Sequence, residues 1–338
     1  AWILWDLLVS TRYGFGNHIQ AADLDKWAFY AASVYSSALV SNGLGGTEPR
    51  FSCNVNIQTA EDAYKLIGDM CSVFRAMPYW AAGALTVSQD APSDPAYLFT
   101  PANVKDGIFS YSSSSLKNRP TVAVVSYLDL QLRDIAKEAV EDAALIAKYG
   151  VVITEISAFA CTSRSQARRL GKFLLYSEWY ESEVCSFTIG LEAGVLVRPG
   201  QIISVADPVR AGARRGGRIS AATTTTITAD DTTGITYSAG ATLSVILPTG
   251  ITQTRAVSGI VGNVFTVSSA FTASPNTNSI WIYETTDIQA QLFRVLGIEE
   301  QDGIEYTVTA LSHNPGKYAY IEDGAPLVAR DITNLNVI

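Results

Sequence analysis

The sequence predicts an α+β protein, mainly β, in which helix-on-sheet domains carry an inserted small OB-like β-barrel. Three observations lead there. Between Phe159 and Pro208 a helix-spaced run (Ala167, Leu170, Leu174) gives way after Glu183 to a period of two, with Cys185, Phe187, Ile189 and Leu191 on one side. From Arg210 a threonine-rich, almost uncharged stretch breaks into short alternating runs separated by Gly, Asn and Pro. Beyond it, Gln291–Glu299 and Tyr306–Leu311 flank Gln301-Asp302-Gly303, which reads as a hairpin turn.

With 338 residues, 48% of them hydrophobic and 17% charged, the chain can build two or three domains with sizeable cores. A net charge of -8 argues against a protein that coats nucleic acid, though not against a local basic patch. Cys53, Cys71, Cys161 and Cys185 form no C-x-x-C pair and read as buried free thiols. With only His18 and His313 available, metal sites and catalytic triads built on histidine are poorly supplied, and no metal or cofactor is expected. No apolar run approaches the ~20 residues that span a bilayer, and no signal peptide is visible. Ala1 opens directly into the apolar run WILWDLL, so the sequence reads as a piece of a longer chain.

In order, Ala1–Val9 is a short apolar helix ending in the glycine-broken loop TRYGFGNH. Asp23 or Asp25 can start a second helix with Trp27, Tyr30, Ala31, Val34 and Leu39 as its apolar side, stopped at Asn42-Gly43. Phe51–Ile57 alternates like a strand, and Thr59-x-x-Asp62 has cap spacing for a third helix carrying Leu66, Ile67, Met70 and Phe74. A short strand, Ala84–Ser88, leads to the loop QDAPSDP. The serine run Ser112–Ser115 marks a domain change near residue 116, followed by the β-branched strand Thr121–Tyr127. Asp134–Lys148 is alanine-rich and acidic and reads as a helix or an irregular link, the helix being favoured, ahead of a strand Val151–Ile156. Ser163 and Gln166 have capping-box spacing for the central helix, and Pro199-Gly200 fits a type II turn before the strand Gln201–Ala206.

Five short strands follow: Arg218–Thr228, Thr242–Leu247, Thr252–Val257, Val264–Ser268 and Ser279–Tyr283. Their number and length fit a small closed barrel, set into a sheet that resumes at Gln291. The expected division is a hub domain over residues 1–115, a second hub domain over 116–210 plus 286–325, the barrel at 217–285, and an exit linker at 326–338.

Chemistry is scarce. Glu178, Glu181 and Glu183 beside Trp179 and Tyr180 invite a glycosidase reading, but no second acid can be placed opposite them, and solvated carboxylates are the plainer account. Asp230-Asp231 could hold calcium, yet the spacing is not that of an EF-hand loop and a solvated turn suffices. SNGLGGTEP lacks both the strand-to-helix setting of a dinucleotide loop and the lysine of a P-loop. His313 lies just after a strand, where a turn or interface histidine is ordinary. The basic run Arg210, Arg214, Arg215 and Arg218 is the sharpest charge feature, a possible partner or DNA-channel contact or else a solvated neck.

The motifs AWILWDLLVSTRYGFG, ADLDKWAFYAASVY, GLGGTEPRFSCN, the APSDP loop, IAKYG, ACTSR and HNPGKYAYIEDG together resemble one family. This is the tail tip attachment protein J (host specificity protein) family of lambda-like siphophages, a baseplate-hub family, and the resemblance covers about residues 1–325 in order. It implies a structural, non-enzymatic virion protein made in the host cytoplasm. In that family, three copies close the distal tail tube and hold the tape-measure and neighbouring tip proteins. A receptor-contacting region lies further along the parent chain, and DNA passes through the channel on ejection. Two other readings stay open from the residues alone: a peptidoglycan-degrading domain at the tip, or a carbohydrate-binding module centred on the barrel.

Overall fold

The computed structural model describes residues 1–57, 62–81, 83–116, 119–207, 216–285 and 290–327. The chain forms two compact units that exchange segments: one gathers Ala1–Ala91, Leu116–Trp179 and the stretch from Pro315, the other Pro92–Ser115 and Tyr180–Asn314. The first unit opens with α1 (Trp2–Val9), α2 (Lys26–Ser37), β1 (Leu39–Ser41), β2 (Thr47–Pro49), α3 (Ala63–Val73), β3 (Ala76–Ala81) and β4 (Ala84–Gln89). The chain then gives β5 (Tyr97–Phe99) and β6 (Ser110–Ser113) to the second unit. It returns for β7 (Val122–Asp129), β8 (Asp134–Glu141), α4 (Ala143–Tyr149), β9 (Ile153–Ser157) and α5 (Arg164–Tyr180).

Aspartates start three of these helices. Asp25 accepts from the amides of Trp27 and Ala28 (3.1 and 3.2 Å), Asp62 from that of Lys65 (3.1 Å), and Asp142 from those of Ala144 and Leu145 (3.0 and 3.1 Å). Thr59, the first residue of the expected cap spacing, lies outside the described residues. Asp134–Lys148 departs from the helix favoured by its composition. Asp134–Glu141 is a strand in full register with β7, from Val122↔Glu141 to Asp129↔Asp134, and only the remainder is helical. Pairing with β7 puts Ala136, Glu138 and Val140 inward, and that tertiary gain outweighs the helix preference of Ala and Glu. Phe51–Ile57 is extended but joins no sheet. The Gln166 side chain acts as its partner, accepting from the Ser52 amide (3.0 Å) and donating to the Ser52 carbonyl (3.1 Å).

The helix α5 covers the three-stranded sheet β8-β7-β9. Gly171 makes this possible, because a Cβ there would sit 2.7 Å from Val140 Cγ2 and 3.2 Å from Val125 Cγ2. Ser163 caps α5 through the Gln166 amide (3.3 Å), while Gln166 turns to Ser52 and does not return the second half of a capping box.

The second unit continues with β10 (Glu183–Gly190), the single-turn helix α6 (Leu191–Gly194) and β11 (Ile202–Val205). Then come β12 (Gly216–Ala222), β13 (Thr226–Ala229), β14 (Thr242–Ile246), β15 (Thr252–Val261), β16 (Val264–Val267) and β17 (Ile280–Glu284). Next are β18 (Gln291–Gln301) and β19 (Glu305–Ser312), and α7 (Gly316–Ile321) returns to the first unit. A six-stranded sheet runs in the order β5-β11-β18-β19-β10-β6.

Val205 pairs with Gln291, so the barrel leaves from and returns to neighbouring strands of one sheet. The barrel closes with six strands, not five, in the order β12-β13-β16-β15-β14-β17, every pair antiparallel. The first expected strand splits in two because Thr223 Oγ1 accepts from the amides of Thr225 and Thr226 and folds the chain back. Alternation along β17 serves two cores. Trp281 and Tyr283 fill the barrel with Phe265 and Leu243, whereas Ile280 and Ile282 join Phe99, Phe187 and Val308 on the six-stranded sheet.

Candidate functional site

The described residues contain no group of three or more His, Cys, Asp or Glu placed to share a metal ion. Arg210, Arg214 and Arg215 lie outside the described residues. Arg218, on β12, donates to the carbonyls of Asn278 (2.8 Å) and Ala102 (2.6 Å), so it ties backbone together at the foot of the barrel. Asp231 accepts from the amide and hydroxyl of Thr233 (2.9 and 2.7 Å), the geometry of an Asx turn. Asp230 Oδ1 lies 3.1 Å from Trp281 Nε1.

The three glutamates beside Trp179 separate. Glu178 is exposed and Glu183 half-buried. Glu181 is interior, 3.0 Å from His313 Nδ1 with side chains 5% and 2% exposed, and it accepts the Asn314 amide at 3.0 Å. That carboxylate joins the helix-to-strand passage to the end of β19, a position closed to a polymeric substrate. Cys71, Cys161 and Cys185 are buried free thiols and Cys53 is half-buried. Burial pushes Cys71 up to about 12 and Cys161 up to about 11. Because the thiolate is the reactive form, dithionitrobenzoate at pH 8 is expected to leave these two thiols unmodified in the native chain and to reach all four in denaturant. Rapid native modification of either would overturn that account.

The outward apolar surface is the feature that sequence periodicity misassigns. On α2 the residues read as core-facing are exposed: Trp27 by 74%, Tyr30 by 52%, Val34 by 54%, with Leu39 just beyond at 68%. The buried side is Phe29, Ala32 and Ser36, with Phe29 packed edge-on to Trp5 at 5.3 Å between centroids. Small residues at Ala32 and Ser36 let α2 approach its neighbours closely, and Ser36 satisfies its hydroxyl on the Ala32 carbonyl (2.6 Å). The larger stripe is left outside. The β7–β8 hairpin end adds Leu128, Leu130, Leu132 and Ile135, each more than two-fifths exposed.

Residues 62–221 match the model of the family described as a putative phage tail protein. The chain is also similar to the tip attachment protein J of Escherichia phage SECphi27, with 31% identity over 335 residues and 96% of this chain. It is likewise 30% identical over 332 residues to the tip attachment protein J of Escherichia phage SECphi4. The chain spans 28% and 29% of those relatives' lengths and 96% and 97% of its own. A tail protein of Neisseria meningitidis MC58 of known crystal structure is a remote likeness: 12% identity, a TM-score of 0.39, covering 82% of this chain and 62% of that one.

Proposed function

We propose that this chain is a hub segment of a phage tail tip, in which three copies close the distal end of the tail tube and hold neighbouring tip and tape-measure proteins. The similarity to tip attachment proteins, which extends over 96% of the chain, carries this reading. Receptor contact then belongs to parts of the full protein outside these residues, and DNA passes through the channel on ejection. Within the same reading, Arg210, Arg214, Arg215 and Arg218 serve as partner or channel contacts, Arg218 from its place on β12. A ring of identical copies needs two different surfaces that meet around an axis, and the α2 stripe supplies an apolar one.

Electron microscopy of the parent particle tests the placement: the chain should appear as three copies at the distal end of the tube, and density elsewhere would end the proposal. The surface has its own test. Trp27→Glu combined with Val34→Glu should leave the melting temperature of the isolated chain nearly unchanged, because both side chains are exposed, while particles no longer incorporate it. Normal incorporation would remove α2 from the interface.

A further inference from the structure

A cleft of about 650 Å³, its mouth included, opens in the first unit beside the end of α3, the last residues of β9 and the start of α5. Its walls are largely apolar, with Phe51, Val73, Ile156, Phe159 and Leu170, and Arg75 is the charged side chain among the lining residues. That arginine is in an unusual state. Its Nε is buried without a hydrogen-bond partner, and Nη2 reaches only the carbonyl of Arg169 at 3.3 Å. The guanidinium lies over the rings of Phe51 and Phe173, 5.1 and 4.6 Å from their centroids. Asp90 attracts it, but the Asp90 carboxylate is engaged by Lys317 Nζ at 2.6 Å and by the Tyr318 hydroxyl at 2.7 Å.

The backbone adds an independent observation. Arg75 follows the end of α3 with φ +54°, in the left-handed region where Gly or Asn is usual after a helix. A long charged side chain is therefore kept at a position whose conformation disfavours it, and strain of this kind collects at functional positions. Burial draws the guanidinium down to about 10, so it stays protonated at neutral pH. A half-buried cation, its Nε unpaired and its rim stacked on two rings, favours an anion beside it. The apolar walls disfavour a hydrated dianion such as phosphate and favour one charge attached to hydrocarbon.

We propose that this cleft binds a carboxylate carried on a short apolar stem, the carboxylate pairing with Arg75 and the stem lying against Val73, Ile156 and Leu170. The inference is independent of where the chain sits in a particle. Two sources share that chemistry, a free fatty acid and an acidic side chain of a neighbouring protein, and calorimetric titration of the full chain separates them. The probes are octanoate against octanol, and N-acetyl-Val-Leu-Glu-amide against its Gln counterpart. Saturable octanoate binding at least tenfold tighter than octanol supports a free acid. A tenfold preference for the Glu over the Gln peptide supports a protein carboxylate. In either case Arg75→Met should weaken the preferred acid at least tenfold. Equal binding of each acid and its neutral counterpart overturns the proposal, as does no binding of either acid; neither outcome needs a variant. Unchanged affinity in a folded Arg75→Met chain overturns it as well.

Discussion

Trp281→Ala is expected to cost about 3–5 kcal/mol and to open the barrel while leaving the first unit folded. Trp281 is 0% exposed on β17, the strand that closes the barrel by pairing with both β12 and β14. Its ring centroid lies 5.1 Å from that of Phe265, and its indole N–H is within reach of the Arg218 carbonyl (3.2 Å) and Asp230 (3.1 Å). Truncation thus removes an aromatic contact, leaves a void between strands that meet around a ring, and strips a donor from the β12 carbonyl. A closed barrel cannot slide one strand inward without disturbing its neighbours, so relaxation should recover little. Unfolding need not be two-state in a chain of two units, so the measurement is hydrogen exchange by mass spectrometry. Peptides from residues 216–284 should lose protection by several hundredfold or more, and peptides from α3 to β4 should not. A loss below about tenfold would show that the barrel core refills the space, since each factor of ten is about 1.4 kcal/mol.

The same barrel shows what can be read from sequence. Its flanking strands were legible because Gln201–Ala206 and Gln291–Glu299 alternate on either side of a compositional break, and a strand pattern survives interruption. Its strand count was not, since Thr223 and Thr226 make a turn with no glycine or proline to announce it. Along Asp134–Glu141 the inward positions are Ala136, Glu138 and Val140, and Glu138 faces in because Arg164 meets it at 2.6 Å. A carboxylate in the inward register hides the period of two. On α2 the periodicity was real but fitted both sides of the helix. Which side packs depended on Trp5 and on the smallness of Ala32 and Ser36, and hydrophobicity does not encode that. Arg75 carried no signal at all, because its surroundings come from residues near 51, 157 and 170 that no local pattern connects.

Lys317 offers the second large effect. It follows Pro315-Gly316 at the start of α7, with a side chain only 2% exposed, and its ammonium meets Asp90 at 2.6 Å above the Phe173 ring. The Tyr318 hydroxyl donates to the other carboxylate oxygen at 2.7 Å, so adjacent residues of α7 hold one acid. Lys317→Ala is expected to cost about 3–5 kcal/mol, because a buried pair that loses one member leaves the other charge without compensation. Lys317→Met separates charge from packing: the stem remains, and most of the loss should persist. Adding Asp90→Leu to Lys317→Met should then restore much of the stability, since the uncompensated carboxylate is gone and apolar replacements of a buried pair are often neutral. Exchange protection of α7 and β4 reads this cycle locally. Should Lys317→Met cost less than about 1 kcal/mol, the Asp90 charge must be met by another group. Arg75 already lies in its field, and a shift of Asp90 toward it would pair the unpartnered Nε from within. That result would couple the two sites, with octanoate affinity falling in the same variant.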